Sequence, residues 1–174
     1  MVSCKQLVEE LKIDWIKLPS QRYHSKPIFT YLFNARKAYN FKIIVSTGMI
    51  PGNKIKKSAW IRHTDVLMHC ISLYPAKLQE CNIAFIQKLP YNGYSSHEDN
   101  GEAIPFAIAA GTEYIERHFT LDKNDKGHDH IISSDVEDMK NIILKIEHAE
   151  KILGDGNRNI TEKELALGKH YKSF

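Results

Sequence analysis

The chain has 174 residues, 43% of them hydrophobic and 26% charged, a composition that suits a soluble folded domain with its own core and excludes a disordered segment. Its 24 basic and 21 acidic residues leave a formal charge of +3; they are scattered, so no nucleic-acid track is legible, while the mild basicity fits anionic small substrates. Cys4, Cys70 and Cys81 show no CxxC spacing and follow no secretory leader, which points to a reducing cytoplasm, and no apolar run approaches the roughly 20 residues of a membrane span.

In chain order, Ile13 to Leu18 (IDWIKL) reads as a buried strand, followed by helical periodicity from Lys26 to Tyr39. A second strand, Lys42 to Ser46 (KIIVS), precedes a helical stretch from Asn53 to His63, whose basic run Lys54, Lys56 and Lys57 reads as a solvated helix face. Asp65 to His69 (DVLMH) is the third strand and Lys77 to Leu89 the next helix. Asn92 to Ser95 (NGYS) and Tyr114 to His118 (YIERH) are the last strands, separated by a helix from Glu102 to Ala110 with Gly111 as its C-cap. These units recur at roughly 23 to 29 residues, the spacing that parallel βα units require. Leu121 to His130 is a polar loop. Ser134 and Glu137 form an S-x-x-E capping box opening a long helix, with Val136, Met139, Ile142, Ile143, Ile146 and Leu153 on one face and Gly154 closing it. Thr161 and Glu164 make a second box before a short polar helix. The expected fold is α/β with a mostly parallel sheet.

The unusual polar residues fall at the C-terminal ends of the predicted strands: Lys17 with Ser20, Ser46-Thr47-Gly48, His69-Cys70, Ser95-Ser96-His97 and Glu116-Arg117-His118. In a parallel α/β barrel that rim carries the active site. A lone histidine at a strand end is more often a hydrogen-bonded structural residue than a ligand, but His97 and His118 end consecutive strands and would point into the same mouth. Two imidazoles with open positions suit a Lewis-acidic divalent ion, Mn²⁺ or Mg²⁺, better than closed structural zinc. His63, His148 and His170 read as surface residues. Lys17, Ser20 and the Ser46-Thr47-Gly48 turn offer an ammonium, hydroxyls and backbone N–H groups, the parts of a phosphate cradle; a Ser/Thr/Gly turn beside a solvated lysine is the plainer reading of either motif alone.

The succession IKLPS, IIVSTGM, LMHCISLYP, GYSSH, IERHFTLDK and KGHDHIIS resembles, in order and spacing, the barrel of the N-acetylneuraminate (sialic acid) synthase family, which includes legionaminic, pseudaminic and spore-coat polysaccharide synthases. The resemblance runs from about Lys5 to Tyr171, and STGM, HC-x₃-YP and ERHFT together are highly specific. It implies a TIM-type (β/α)₈ barrel and a transferase reaction that condenses phosphoenolpyruvate with an N-acylated hexosamine, releasing phosphate. Carried over by motif, Lys17, Ser20, Ser46, Gly48 and Ser95 hold phosphoenolpyruvate. By the same resemblance His97 and His118 would bind the divalent metal, Tyr74, Glu116 and Asp129 would bind the sugar, and Glu116 is the candidate catalytic residue.

Two residues depart from the family pattern: Ser96 stands where many relatives have Asp, and His128 where Pro or Thr is commoner. The runs match barrel strands four to eight, so residues 1–160 are expected to be a partial synthase barrel. Residues 161–174 are then a helix or linker that in the family leads to an antifreeze-like domain. The first three strands, which carry the family's catalytic Glu, would be absent. The chain is therefore expected to need a complementing chain or a homo-oligomer, as a split-gene product or a fragment. A non-catalytic remnant that retains metal or phosphate binding is the alternative.

Overall fold

Five short runs, each with at least one β-branched or aromatic side chain, form the strands: β1 Trp15–Leu18, β2 Lys42–Ser46, β3 Val66–Cys70, β4 Gly93–Ser96 and β5 Tyr114–Arg117. Each lies within the predicted run or one residue beyond it. They make one parallel sheet in sequential order, β1-β2-β3-β4-β5. The computed structural model describes residues 6–56, 63–127 and 129–171.

Side chains alternate across a strand, so register assigns every residue to a face. Leu18, Ile43, Val45, Leu67 and Tyr94 lie on the outer face, in a core with Phe29, Leu32, Ile55, Ile86, Ile104 and Ile142. The pairings Lys17↔Ile44↔Val66 and Ser46↔Met68↔Gly93 run along the inner face, as does Cys70↔Ser95↔Glu116. The sheet is curled into a half-barrel. Across its concavity the rings of Trp15 on β1 and Tyr114 on β5 meet at 5.7 Å, although the two strands share no ladder. A Cβ on Gly93 would lie 2.9 Å from both Met68 Cγ and Val66 Cγ1, so the inner layer leaves no room there for a side chain.

Helices cover the outer face. α1, Lys26–Ala38, carries Pro27 in its first turn and buries Phe29 and Leu32; a fully buried Phe contributes about 3 kcal/mol over an exposed one. α2, Gly52–Lys56, matches the start of the helix expected over 53–63, and Lys54 is exposed as predicted. The Lys56 side chain and residues 57–62 lie outside the described residues, as do Cys4 and His128. His63, His148 and His170 are exposed, in keeping with the surface reading. α3, Ile104–Ala109, ends before Gly111, whose φ is +100°.

Three expectations are corrected. The continuous helix expected from Lys77 to Leu89 is two 3₁₀ turns, Leu78–Glu80 and Ile83–Lys88. They are divided at Asn82, whose φ of 45° is left-handed and cannot continue a right-handed helix. α4, Val136–Leu153, is capped by Asp135, which accepts from the N–H groups of Glu137 and Asp138 at 3.0 and 2.9 Å. Ser134 does not serve, because its backbone is spent on the tail of β5: its N–H bonds the His118 carbonyl and its carbonyl accepts from Thr120. On α4 the core side consists of Met139, Ile142, Ile146 and Ala149. Val136, Ile143 and Leu153, expected on that face, are 47–49% exposed.

α5, Glu162–Tyr171, begins at the predicted box: Thr161 N–H bonds Glu164 at 2.9 Å and Glu164 N–H bonds Thr161 Oγ1 at 3.2 Å. Among the described residues no helix is long and apolar enough to cross a membrane.

Candidate active site

The strand ends bring most of the predicted residues to one cavity at the top of the concave face. Lys17, Ser20, Ser46, Ser95, His97, Glu116 and His118 line it, together with Tyr74, Cys70 and Ser72. A wider groove of about 540 Å³ opens between the Ile83–Lys88 turn and α3. Its walls are largely apolar, with Leu78, Ile83, Ala103 and Phe106 prominent, so the convergent chemistry belongs to the smaller cavity.

On the side expected to take an anion, Lys17 pairs with Glu116 across the cavity. Ser20 Oγ lies 3.5 Å from Cys70 Sγ, and the Gly48 N–H donates to the same sulfur at 3.2 Å. Gly48 is where the loops crowd. A Cβ there would stand 2.1 Å from Ser72 Oγ, 2.9 Å from Cys70 Sγ and 3.0 Å from Ser20 Oγ. The buried Ser46 hydroxyl has no hydrogen-bond partner among the described residues, a costly state for an enclosed polar atom and one that an anionic oxygen would relieve. The Thr47 side chain is committed elsewhere. Its hydroxyl donates to the Met68 carbonyl at 2.9 Å and meets Tyr91 OH at 2.8 Å.

On the other side, the rings of His97 and His118 stand 5.7 Å apart, edge to face. His97 Nδ1 contacts the Ile71 carbonyl at 2.6 Å, and that bond makes Nδ1 the protonated nitrogen. Nε2, 3.1 Å from Ser95 Oγ and 3.3 Å from Tyr74 OH, carries the lone pair. Burial lowers the His97 pKa, the Ile71 carbonyl opposes that, and neighbouring His118 adds to the lowering. Burial likewise raises the Tyr74 phenol, reinforced by Cys70, Asp129 and Glu116. Asp129 sits at the rim, its carboxylate 69% exposed and 3.9 Å from His118 Nδ1. Among the described residues no three His, Cys, Asp or Glu side chains form a metal cluster. His97 and His118 face the cavity together, and a pair of imidazoles could hold an ion that takes its remaining ligands from water or substrate oxygens.

His69 and Cys70 end the same strand but part company. Cys70 faces the cavity, whereas His69 turns outward, its Nε2 2.8 Å from the Cys81 carbonyl among Phe85, Tyr91 and Tyr94. Two residues were not singled out from the sequence. Ser72 continues the inward alternation of Cys70 past the strand end, and that alternation was its signal. Glu98, 1% exposed, continues the outward alternation of Ser96; a buried carboxylate in a polar stretch gives no pattern of its own.

A parallel βα half-barrel with its polar residues gathered at the carboxyl ends of the strands belongs with the TIM-type barrels, whose sites lie at that mouth. The chain belongs to the NeuB family, whose profile matches residues 2–158. It is 34% identical over 188 residues to the N,N'-diacetyllegionaminic acid synthase of Campylobacter jejuni, covering 95% of this chain and 55% of that protein. With the synthase of the same name from Legionella pneumophila it shares 31% over 172 residues, covering 90% and 47%. The crystal structure of N-acetylneuraminic acid synthetase from Leptospira borgpetersenii, solved with citrate, superposes with a TM-score of 0.80 at 25% identity. That match covers 97% of this chain and 61% of the other. The spore coat polysaccharide biosynthesis protein spsE of Bacillus subtilis superposes with a TM-score of 0.72 at 27% identity, covering 92% and 47%. The chain thus spans about half the length of the curated relatives it matches.

Proposed function

We propose that this chain carries the substrate-binding mouth of a nonulosonic acid synthase. In that reaction C3 of phosphoenolpyruvate bonds to the aldehyde carbon of an N-acylated hexosamine such as N-acetylmannosamine, and the aldehyde oxygen takes a proton. Water adds at C2, and phosphate leaves. The observation that carries the proposal is the meeting, in one cavity, of the Lys17, Ser20, Ser46 and Ser95 group with Glu116, His97 and His118.

Lys17 and the serine hydroxyls hold the phosphate or carboxylate of phosphoenolpyruvate, and Gly48, whose N–H is given to Cys70 Sγ, lets the loops carrying Ser20 and Ser72 close around it. Tyr74, Glu116 and Asp129 meet the sugar, and Glu116 is the candidate catalytic residue beside the aldehyde oxygen. His97 and His118 would hold a divalent ion, Mn²⁺ or Mg²⁺, which when bound supplies Lewis-acid polarisation of the aldehyde. Among the described residues β1 and β5 each pair on one side only, and strands from a complementing chain or a second copy would satisfy those ladder groups and close the barrel. The stretch from Thr161, with α5, would correspond to the helix or linker that in the family leads to an antifreeze-like domain.

The test is phosphate release from phosphoenolpyruvate with N-acetylmannosamine and Mn²⁺. It is run on the chain alone and on the chain mixed with a NeuB-family segment supplying strands for β1 and β5. Turnover is expected in the mixture and is expected to fall at least about 100-fold in Lys17→Ala and in His97→Ala. A mixture whose turnover is indifferent to both substitutions refutes the assignment.

A further inference from the structure

Glu98 is the most deeply buried carboxylate in the described structure, at 1% exposure, and the reaction proposed above gives it no role. It stands just past β4, where the backbone is still extended, with φ −81° and ψ 162°, so Ser95 and His97 face the cavity while Ser96 and Glu98 face away from it. Its carboxylate accepts three hydrogen bonds: from Tyr94 OH at 2.8 Å, from Ser96 Oγ at 3.0 Å and from the Ala103 N–H at the start of α3, at 3.1 Å. A buried carboxyl group that accepts from three donors is fixed in place, because moving it means leaving those donors unpaired in a low-dielectric interior.

The same network reaches the second histidine. Arg117, on the outer face of β5 between Glu116 and His118, bonds the Ser96 hydroxyl at 3.1 Å and the Ser96 carbonyl at 3.3 Å, and it also donates to the Glu98 carbonyl. Its Nε donates to Ser134 Oγ at 2.9 Å, and the Ser134 N–H returns to the His118 carbonyl at 2.9 Å. The His97 carbonyl is held from the third side by the Ala76 N–H at 2.9 Å. His97 lies between Ser96 and Glu98 and His118 follows Arg117, so both histidines adjoin one partly buried network.

We propose that Glu98, acting through Ser96 and Arg117, is a positioning residue that sets the spacing of His97 and His118. It touches neither ring. Its carboxylate locks the ends of β4 and β5 to each other and to α3, and the imidazoles follow the backbone. The inference deepens the reading of the histidine pair as a divalent-ion site, but its first readout does not need an ion.

The experiment compares the full chain with Glu98→Ala and Glu98→Gln. Histidine-ring NMR signals at fixed pH, Mn²⁺ affinity and thermal melting are measured on each. In Glu98→Ala the His97 and His118 ring signals are expected to shift or broaden while those of exposed His148 and His170 stay in place, and Mn²⁺ affinity to fall about tenfold. Glu98→Gln, which keeps an acceptor and meets hydroxyls that can rotate, is expected to recover most of both. If Glu98→Ala does not fold, Ser96→Ala, which removes the hydroxyl linking Arg117 to Glu98, is read instead with the same expected direction. A folded Glu98→Ala or Ser96→Ala whose His97 and His118 signals superpose on the wild type overturns the proposal. If the wild-type chain binds no Mn²⁺, the divalent-ion reading fails and the ring signals alone decide this one.

Discussion

Lys17 on β1 and Glu116 on β5 form an ion pair across the concave face, joining the two strands that share no hydrogen-bonded ladder. Their side chains are 35% and 28% exposed, so the pair is partly solvated and contributes modestly to stability. Its larger consequence is for ligands, because the ammonium assigned to an anion is held by a carboxylate that an incoming anion must displace or share. Lys17→Ala is expected to weaken phosphate binding about tenfold. Glu116→Gln is expected to tighten it severalfold, because the competitor and a like charge are removed together, even as synthase turnover falls. Calorimetric titration with phosphate at low and high salt checks both signs, and equal weakening by the two substitutions would sink the argument.

Gly48 offers a steric test of the cradle. Its three close neighbours, Ser72 Oγ, Cys70 Sγ and Ser20 Oγ, come from the ends of β3 and β1, so a methyl group there pushes two loops outward at once. Gly48→Ala is expected to cost about 1–3 kcal/mol in urea unfolding and to abolish measurable phosphate binding. Adding Ser72→Gly removes the nearest contact and should restore part of the stability. If Gly48→Ala melts and binds like the wild type, the loops are not packed as described.

The long helix makes the cap prediction. Asp135 receives two backbone N–H bonds, and that from Asp138 holds its carboxyl below the usual range. Asp135→Ala is expected to lower the melting temperature by about 3 °C. Glu137→Ala, which removes only the exposed partner of Lys140, is expected to change it little. The reverse ranking would restore the cap that the S-x-x-E spacing suggests.

That spacing illustrates how much the sequence could carry. Strands were legible because apolar runs of the right length repeat at βα intervals, and the mouth was legible because polar residues crowd their ends. What periodicity could not supply was the competition for backbone groups. Ser134 looks like a cap until its N–H and carbonyl are found bonded to the tail of β5, and the 77–89 stretch looks helical until Asn82 adopts a left-handed conformation. The breadth of the α4 stripe misled in another way, since a helix shows several apolar residues to partial solvent: Ile142 and Ala149 are buried, Met139 and Ile146 pack partly against the core, and the rest of the stripe is exposed. Within the site, the alternation of period two, carried beyond the strand ends, separates Cys70 and Ser72 from His69, and His97 from Glu98.

His69 yields the pH prediction. Its ring is enclosed by Phe85, Tyr91 and Tyr94, and burial lowers its pKa from the ordinary 6.5, against the weaker raising effect of the Cys81 carbonyl. Above pH 6.5 neither the folded nor the unfolded imidazole binds a proton, and the full stability is present. As the pH falls below that value the unfolded chain takes up a proton that the folded chain refuses, so stability is lost progressively until the folded pKa has been passed. His97, lowered by burial in the same direction, adds to the slope. The chain should therefore melt at progressively lower temperature between pH 7 and pH 5. His69→Gln can keep a donor for the Cys81 carbonyl and does not titrate, so its melting temperature should be lower at pH 7, where a shorter, uncharged side chain fills the aromatic cage less well, yet fall less steeply toward pH 5. Parallel melting curves for the variant and the wild type across that range would mean that His69 is not held neutral by its cage.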